Sequence, residues 1–374
     1  MKTRLALVLA LAAACSRAPE SASPQKPQQA AAAANVLELS HGATLFAYVP
    51  EQSYGNAGAH TLDAEELTSW ISPPFGTEQT FVIALPARTR IRQIGMTAAG
   101  GLSVPHLGVD SSLDGAQWTP VGTLAFASNG SFEFRAVKPF ESRYLRFRTM
   151  TAKNQNFAQI FTLYAAGDEL EAAKPGSIDG CWTINNRAAR FEQHGAQVRG
   201  VLDAGEHEKP MQLDGGFDGR AYRLIWRAGA QWGDAMFTVS PDGKAMSGVN
   251  RHRSGTDEGF ADGFIGERGP CATTPFDPSS IREYVIADIH RYPLYALRFD
   301  DRDRLLVDES AAALDVIAGL KNVRLVARNA PARITSLRDA LDARGVDTTQ
   351  YAFVDGKAAS RPPLYASPID LEPK

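Results

Sequence analysis

From about Val36 to Cys271 the chain runs in short stretches where apolar and polar residues alternate, and no long helical stripe interrupts them. Alternation with a period of two sends successive side chains to opposite faces, which commits the backbone to strands with one buried face. The runs TFVIALP (Thr80 to Pro86), IRQIGM (Ile91 to Met96), FEFRAV (Phe132 to Val137) and RYLRFRTM (Arg143 to Met150) read as strands, with turns at Asp114-Gly115 and Asn129-Gly130. Many short strands need a second layer to bury their apolar faces, which predicts a jelly-roll β-sandwich over residues 35–168.

Gly-bounded strands continue from Gly176: Gln197 to Gly200, Phe217 to Arg220, Tyr222 to Trp226, Met236 to Ser240 and Asp242 to Gly248. They predict a small antiparallel β-barrel or meander over residues 176–272. After a Pro/Thr/Ser linker between Thr273 and Ser280 the period lengthens toward 3.6. Strands are expected at Tyr284 to Ile289, Leu294 to Phe299 and Val323 to Arg328. One helix should begin near Asp308 or Glu309 and bury Leu314, Ile317 and Leu320; a second should bury Ile334, Leu337 and Leu341 and stop at Gly345. The fold class is thus multidomain and mainly β, with a C-terminal α/β domain over residues 281–374.

The chain opens on Met1, Lys2, Thr3 and Arg4 followed by LALVLALAAA, a basic start and an apolar run too short for the about 20 residues that a bilayer span requires. The sequence LAAAC resembles the bacterial lipobox, with Ala12 where leucine is usual. That resemblance implies a signal peptide over residues 1–14 and a lipidated Cys15; ordinary cleavage near Ala14, leaving a free thiol, is the other reading. Residues 15–34, rich in Pro, Gln, Ser and Ala, read as a tether. Ser16 in place of Asp resembles lipoproteins sorted to the outer membrane, so the expected address is the cell envelope, facing periplasm or surface.

A net charge of −3 without a Lys/Arg cluster excludes nucleic acid as the expected partner, since phosphate binding needs a concentrated basic face. The seven histidines form no i, i+4 metal pair, and no nucleophile elbow, Walker loop or dinucleotide fingerprint is present. No catalytic residue, metal or cofactor is therefore expected. Cys181 and Cys271 stand at the two edges of the second block and are expected to bond to each other, which would close a loop contributing about 4 to 5 kcal/mol by chain entropy.

TSWIS (Thr68 to Ser72), TFVIALP, VDSSLDGAQWTPV (Val109 to Val121) and ESRYLRFRTM together resemble the galactose-binding-like, discoidin family (coagulation factor 5/8 C-type). The resemblance implies a glycan module whose ligand lies in loops at one end of the sandwich. Phe46, Tyr48 and Tyr54 fall in such a loop, either stacking on a sugar or folding over the sandwich end. Trp70 and Trp118 are expected in the core, the alternative being sugar platforms, and Asp63 resembles an acidic residue that in relatives helps hold calcium, although one carboxylate is not a site.

The second block resembles small lipocalin-like barrels of bacterial envelope proteins, and Trp182, Trp226 and Trp232 are expected either to fill the barrel or to line a small cavity. YALRFDDRDRLLVDESAAALDVIAGL (Tyr295 to Leu320) and RITSLRDALDARGVD (Arg333 to Asp347) resemble the OmpA-like peptidoglycan-associated domain. That likeness implies that Arg333 grips a carboxylate of the wall peptide, although Asn329 stands in the loop where the family has a partner Asp. The expected function is a membrane-anchored, non-catalytic envelope lipoprotein that binds glycan or peptidoglycan. The alternative is an assembly scaffold that docks envelope proteins after losing its ligand sites.

Overall fold

The computed structural model describes residues 34–47, 49–65, 67–73, 79–98, 104, 106–126, 132–150, 157–205, 208–253, 261–277, 294, 297–300, 302–327, 331–355 and 369–373. Cys15, Tyr48, Asn329, the expected turn at Asn129-Gly130 and the expected strand Tyr284 to Ile289 lie outside them, and Tyr54 is described by its backbone alone. Ala34 to Lys374 forms one compact unit.

Seven strands build the first sheet: β1 (Thr44–Leu45), β2 (Trp70–Ile71), β3 (Thr80–Ala98), β4 (His106–Ser112), β5 (Thr119–Ala125), β6 (Phe132–Met150) and β7 (Gln159–Glu169). Their order is β2-β7-β3-β6-β4-β5, with β1 against β3 and every pairing antiparallel. TFVIALP and IRQIGM, expected as separate strands, are one strand, and so are FEFRAV and RYLRFRTM. Register breaks between Ala84 and Thr89 and between Ile91 and Gln93 bend these long strands, so that each serves two parts of the layer. Pro86, which has no N–H for a ladder, falls in the first break.

Phe81, Ile83, Ile94, Leu145, Phe147 and Ile160 are fully buried in the sandwich core. Trp70 joins them edge-on to Phe81 at 4.9 Å and donates its indole N–H to the Pro50 carbonyl at 3.0 Å. Trp118 departs from expectation: it is half-buried, with the Arg146 guanidinium 4.6 Å from its ring centroid. It follows the Asp114-Gly115 turn, in which Gly115 has φ +75°, and precedes β5, a strand with no buried residue. Asp63 is buried and holds its own loop together, accepting from Glu65 N–H and from the Thr68 hydroxyl at 2.9 Å and contacting His60 Nδ1 at 2.9 Å.

Strands β8 (Gly180–Ile184), β9 (Arg187–His194), β10 (Gln197–Leu202), β11 (Met211–Phe217), β12 (Tyr222–Ala228), β13 (Gln231–Val239), β14 (Ala245–His252) and β15 (Ala261–Arg268) close into a barrel, with β15 returning to pair β8. The interior sets large rings against glycines. A Cβ on Gly200 would stand 2.4 Å from the Phe191 ring, and one on Gly248 would stand 2.5 Å from Phe264. Trp182 and Trp226 face inward. Trp232 does not: Trp226 pairs with Gly233, which puts Trp232 on the opposite face beside Ile225, in the core shared with the C-terminal segment. One end of the barrel is sealed, where the Tyr222 hydroxyl donates to Gly176 O and Trp182 donates to Ile178 O. Cys181 and Cys271 are bonded, Cα to Cα 4.6 Å, tying the chain that leaves β15 back to β8.

Strands β16 (Val323–Ala327), β17 (Ala352–Asp355) and β18 (Asp370–Pro373) form a small sheet in the order β17-β16-β18, covered by helices α1 (Ala311–Ala318) and α2 (Pro331–Ala343). Both helices bury the residues read from their period, apart from Leu320, which is half-buried just past α1. Of the expected strand from Leu294 to Phe299, residues 295 and 296 lie outside the described residues; Phe299 makes an isolated bridge to Leu305, across a tight turn in which Asp300 accepts from the N–H groups of Arg302 and Arg304, each at 2.9 Å.

Candidate functional site

The barrel is covered on two sides, and the two junctions differ. On the C-terminal side Arg333, in the first turn of α2, reaches the outer wall of the barrel where Gly216 has no side chain to block it. Its Nε donates to the Asp303 carboxylate at 2.8 Å, its guanidinium carbon lies 5.4 Å from the Phe299 ring centroid, and only 6 % of the residue is exposed. The void left in this junction is about 70 Å³. Arg333 is thus an internal ion-pair member, with a carboxylate supplied by a turn residue of positive φ (+59°).

On the other side the sandwich packs its early loop against β14 and β15. Met236, Val249 and Ala221 of the barrel enter the sandwich core, Thr238 donates to Ala43 O at 2.8 Å, and Ser247 accepts from Leu45 N–H at 2.8 Å. Beside these contacts the two surfaces diverge into a groove of about 760 Å³. Phe46 and Glu51 line it from the sandwich; Asn185, Asn186, Lys244 and Glu267 line it from the barrel. Phe46 is held edge-on to Tyr144 at 5.4 Å and half-buried, so that part of its ring stays open. The two asparagines take positive φ, +46° and +62°, in the β8–β9 turn, which presents their amides outward from a tight hairpin.

Glu51 carries the chemistry. Burial raises its pKa from 4.5 to about 7, against the opposing pull of the Gly58 N–H and of His60. A carboxyl that keeps its proton near neutral pH both donates and accepts, whereas a carboxylate only accepts. One aromatic face, two amides, a lysine and such a carboxyl form the mixed surface that a polyhydroxylated ring requires.

Of the residues singled out from the sequence, the structure places Phe46 in the groove and Tyr54 in a short 3-10 helix (Tyr54–Asn56) of the same loop. Arg333 lies on the opposite side of the barrel. Glu51 had no signal in the sequence: it sits in no motif, and the groove that it lines joins its loop to barrel residues far along the chain. Among the described residues no group of three or more His, Cys, Asp or Glu is placed to hold a metal ion, and no helix there is long and apolar enough to cross a membrane.

No family model and no curated protein matches the chain. Solved structures do. The C-terminal domain of a chitobiase from Bacteroides fragilis is 19% identical, with a TM-score of 0.32, covering 35% of this chain and 97% of its own. A chitosan-binding module from a chitosanase/glucanase of Paenibacillus sp. IK-5 is 13% identical, with a TM-score of 0.32, covering 36% and 99%. The family 32 carbohydrate-binding module of Clostridium perfringens NanJ, solved with galactose, is 12% identical, with a TM-score of 0.29, covering 33% and 98%.

Proposed function

We propose that this chain is a non-catalytic lipoprotein of the cell envelope, anchored through an acylated Cys15, that binds a glycan in the groove between its sandwich and its barrel. The observation that carries the reading is the pairing in one groove of the open Phe46 ring with Glu51, a carboxyl raised to about 7. The discoidin-like motifs of residues 35–168 support it, because they imply ligand loops at the end of the sandwich where this groove opens.

The anchor rests on the basic start, the short apolar run, LAAAC and the polar tether after it. Acyl chains contribute about 0.8 kcal/mol per buried CH₂, enough to hold a two- or three-chain anchor on an outer membrane facing periplasm or surface. Binding is assigned to the groove and not to Arg333, whose guanidinium is already paired with Asp303.

The test is an array of surface polysaccharides and peptidoglycan fragments probed with the full chain in detergent, beside a Phe46→Ala variant. Retention on at least one glycan, weakened in the variant and with no new reducing ends released, supports the reading. No retention on any glycan, together with stoichiometric crosslinking to one envelope protein in cells, would replace it with the scaffold alternative. Labelling with an alkyne fatty acid, lost in Cys15→Ala, tests the anchor separately.

A further inference from the structure

The groove does not stop at the seam between sandwich and barrel. It shares Asn185 and Phe264 with a second cavity of about 440 Å³, which opens at the mouth of the barrel. The Asn185 N–H donates to Ile265 O at 3.4 Å, so the β8–β9 turn is pinned to β15 where the two spaces meet. Asp262, at the mouth, stands three residues from Ile265 in the groove, roughly 10 Å along a strand. A single extended ligand passing over the Asn185 amide spans that distance.

The polar groups at the mouth divide into two sets. The ionic ones hold one another: Arg187 donates to Asp203 O, to Lys209 O and to the Glu208 carboxylate, and His252 Nε2 lies 3.8 Å from Asp262. The amides do not. Among the described residues, the side chains of Asn185, Gln231 and Asn250 meet no hydrogen-bond partner, and Asn185 and Asn250 are also half-buried. Strand alternation turns Asn250 into the mouth, two positions beyond Gly248, which lies against Phe264. Trp226, in the same cavity, has given its N–H to Asp234 O at 3.2 Å and offers only its apolar surface. An amide presents donors and an acceptor together, which is what adjacent hydroxyls of a sugar answer, while the indole suits the C–H face of the ring.

We propose that the glycan is an oligosaccharide of three or more sugars, held at one end in the groove and at the other by Asn250 and Gln231 at the barrel mouth, with Asn185 between them. This rests on the groove reading above and adds to it a second site of contact. At roughly 30 Å³ per water-sized group, a sugar residue of about eleven non-hydrogen atoms fills roughly 330 Å³, so the groove takes about two and the mouth about one. A chain is selected over a single sugar, because the third residue adds its contacts without a second loss of translational freedom.

The test is calorimetric titration of the full chain in detergent with fragments of one to five sugars, cut by partial hydrolysis from the polysaccharide best retained on the array. Affinity should rise at least tenfold from two sugars to three and level off there. Asn250→Ala combined with Gln231→Ala should remove that step and keep wild-type affinity for the disaccharide, which also reports that the variant is folded. Should the pair fail to fold, Gln231→Ala alone, at an exposed turn position, should still reduce the step. Asn185→Gly, which keeps the positive φ of the turn, should weaken two and three sugars alike. A disaccharide bound as tightly as the trisaccharide, or a step that survives the mouth variants, overturns this proposal and leaves the groove reading standing; failure of every length to bind overturns both.

Discussion

The two flanks of the barrel answer the same problem, charge brought into a protein junction, in opposite ways. Against the C-terminal segment, Arg333 meets Asp303 and almost no space remains, about 70 Å³. Against the sandwich, Glu51 is half-buried in a groove of about 760 Å³, and burial raises its pKa. A buried charge with its counter-charge is part of the architecture. A buried acid raised to about 7 in an open groove is a functional candidate. The residue that sequence motifs favoured as a ligand falls in the first class, and the residue in the second class was silent.

The comparison can be broken by mutation, beginning where the effect is largest. Cys181→Ser with Cys271→Ser removes a link spanning 90 residues and should lower unfolding free energy by about 4 kcal/mol in chemical denaturation followed by tryptophan fluorescence. Arg333→Ala leaves Asp303 unpaired at a tight junction and should cost about 3 kcal/mol in the same assay, with glycan retention unchanged. Loss of retention with unchanged stability would exchange the roles assigned to the two flanks.

On the open flank the order reverses. Phe46→Ala should weaken glycan binding about tenfold, which is about 1.4 kcal/mol, while thermal stability shifts by less than the Arg333 variant shows. The last effect concerns protons. The pKa of Glu51 in the fold, about 7, lies above its ordinary 4.5, so its protonated form favours the fold. That contribution is complete below about pH 4.5 and is lost as pH rises through about 7. Melting temperature should therefore decline across that window in the wild type and more shallowly in Glu51→Gln; equal slopes would show that Glu51 does not titrate as assigned.

Much of the architecture was legible because it is local. Alternation located the strands, the 3.6 period located α1 and α2 with Leu314, Ile317, Ile334, Leu337 and Leu341 inward, and the block edges paired Cys181 with Cys271. What was missed depends on register or on distant chain segments. Trp232 shares composition with Trp226, but the turn at Gly229-Ala230 fixes the pairing Arg227 with Trp232 and turns that indole out of the barrel. Long β3 and β6 read as four strands because a bulge looks like a turn until its partner is known. Asp303 could not be matched to Arg333 from the sequence, since it depends on a left-handed turn residue, and the groove unites a sandwich loop with hairpins of the barrel.

The most direct test of the account titrates the strongest array glycan into wild type, Phe46→Ala, Glu51→Leu and Arg333→Lys by calorimetry at pH 6. The account predicts at least tenfold weaker binding in the two groove variants and wild-type affinity in Arg333→Lys. Wild-type affinity in both groove variants, with binding lost in Arg333→Lys, would contradict it.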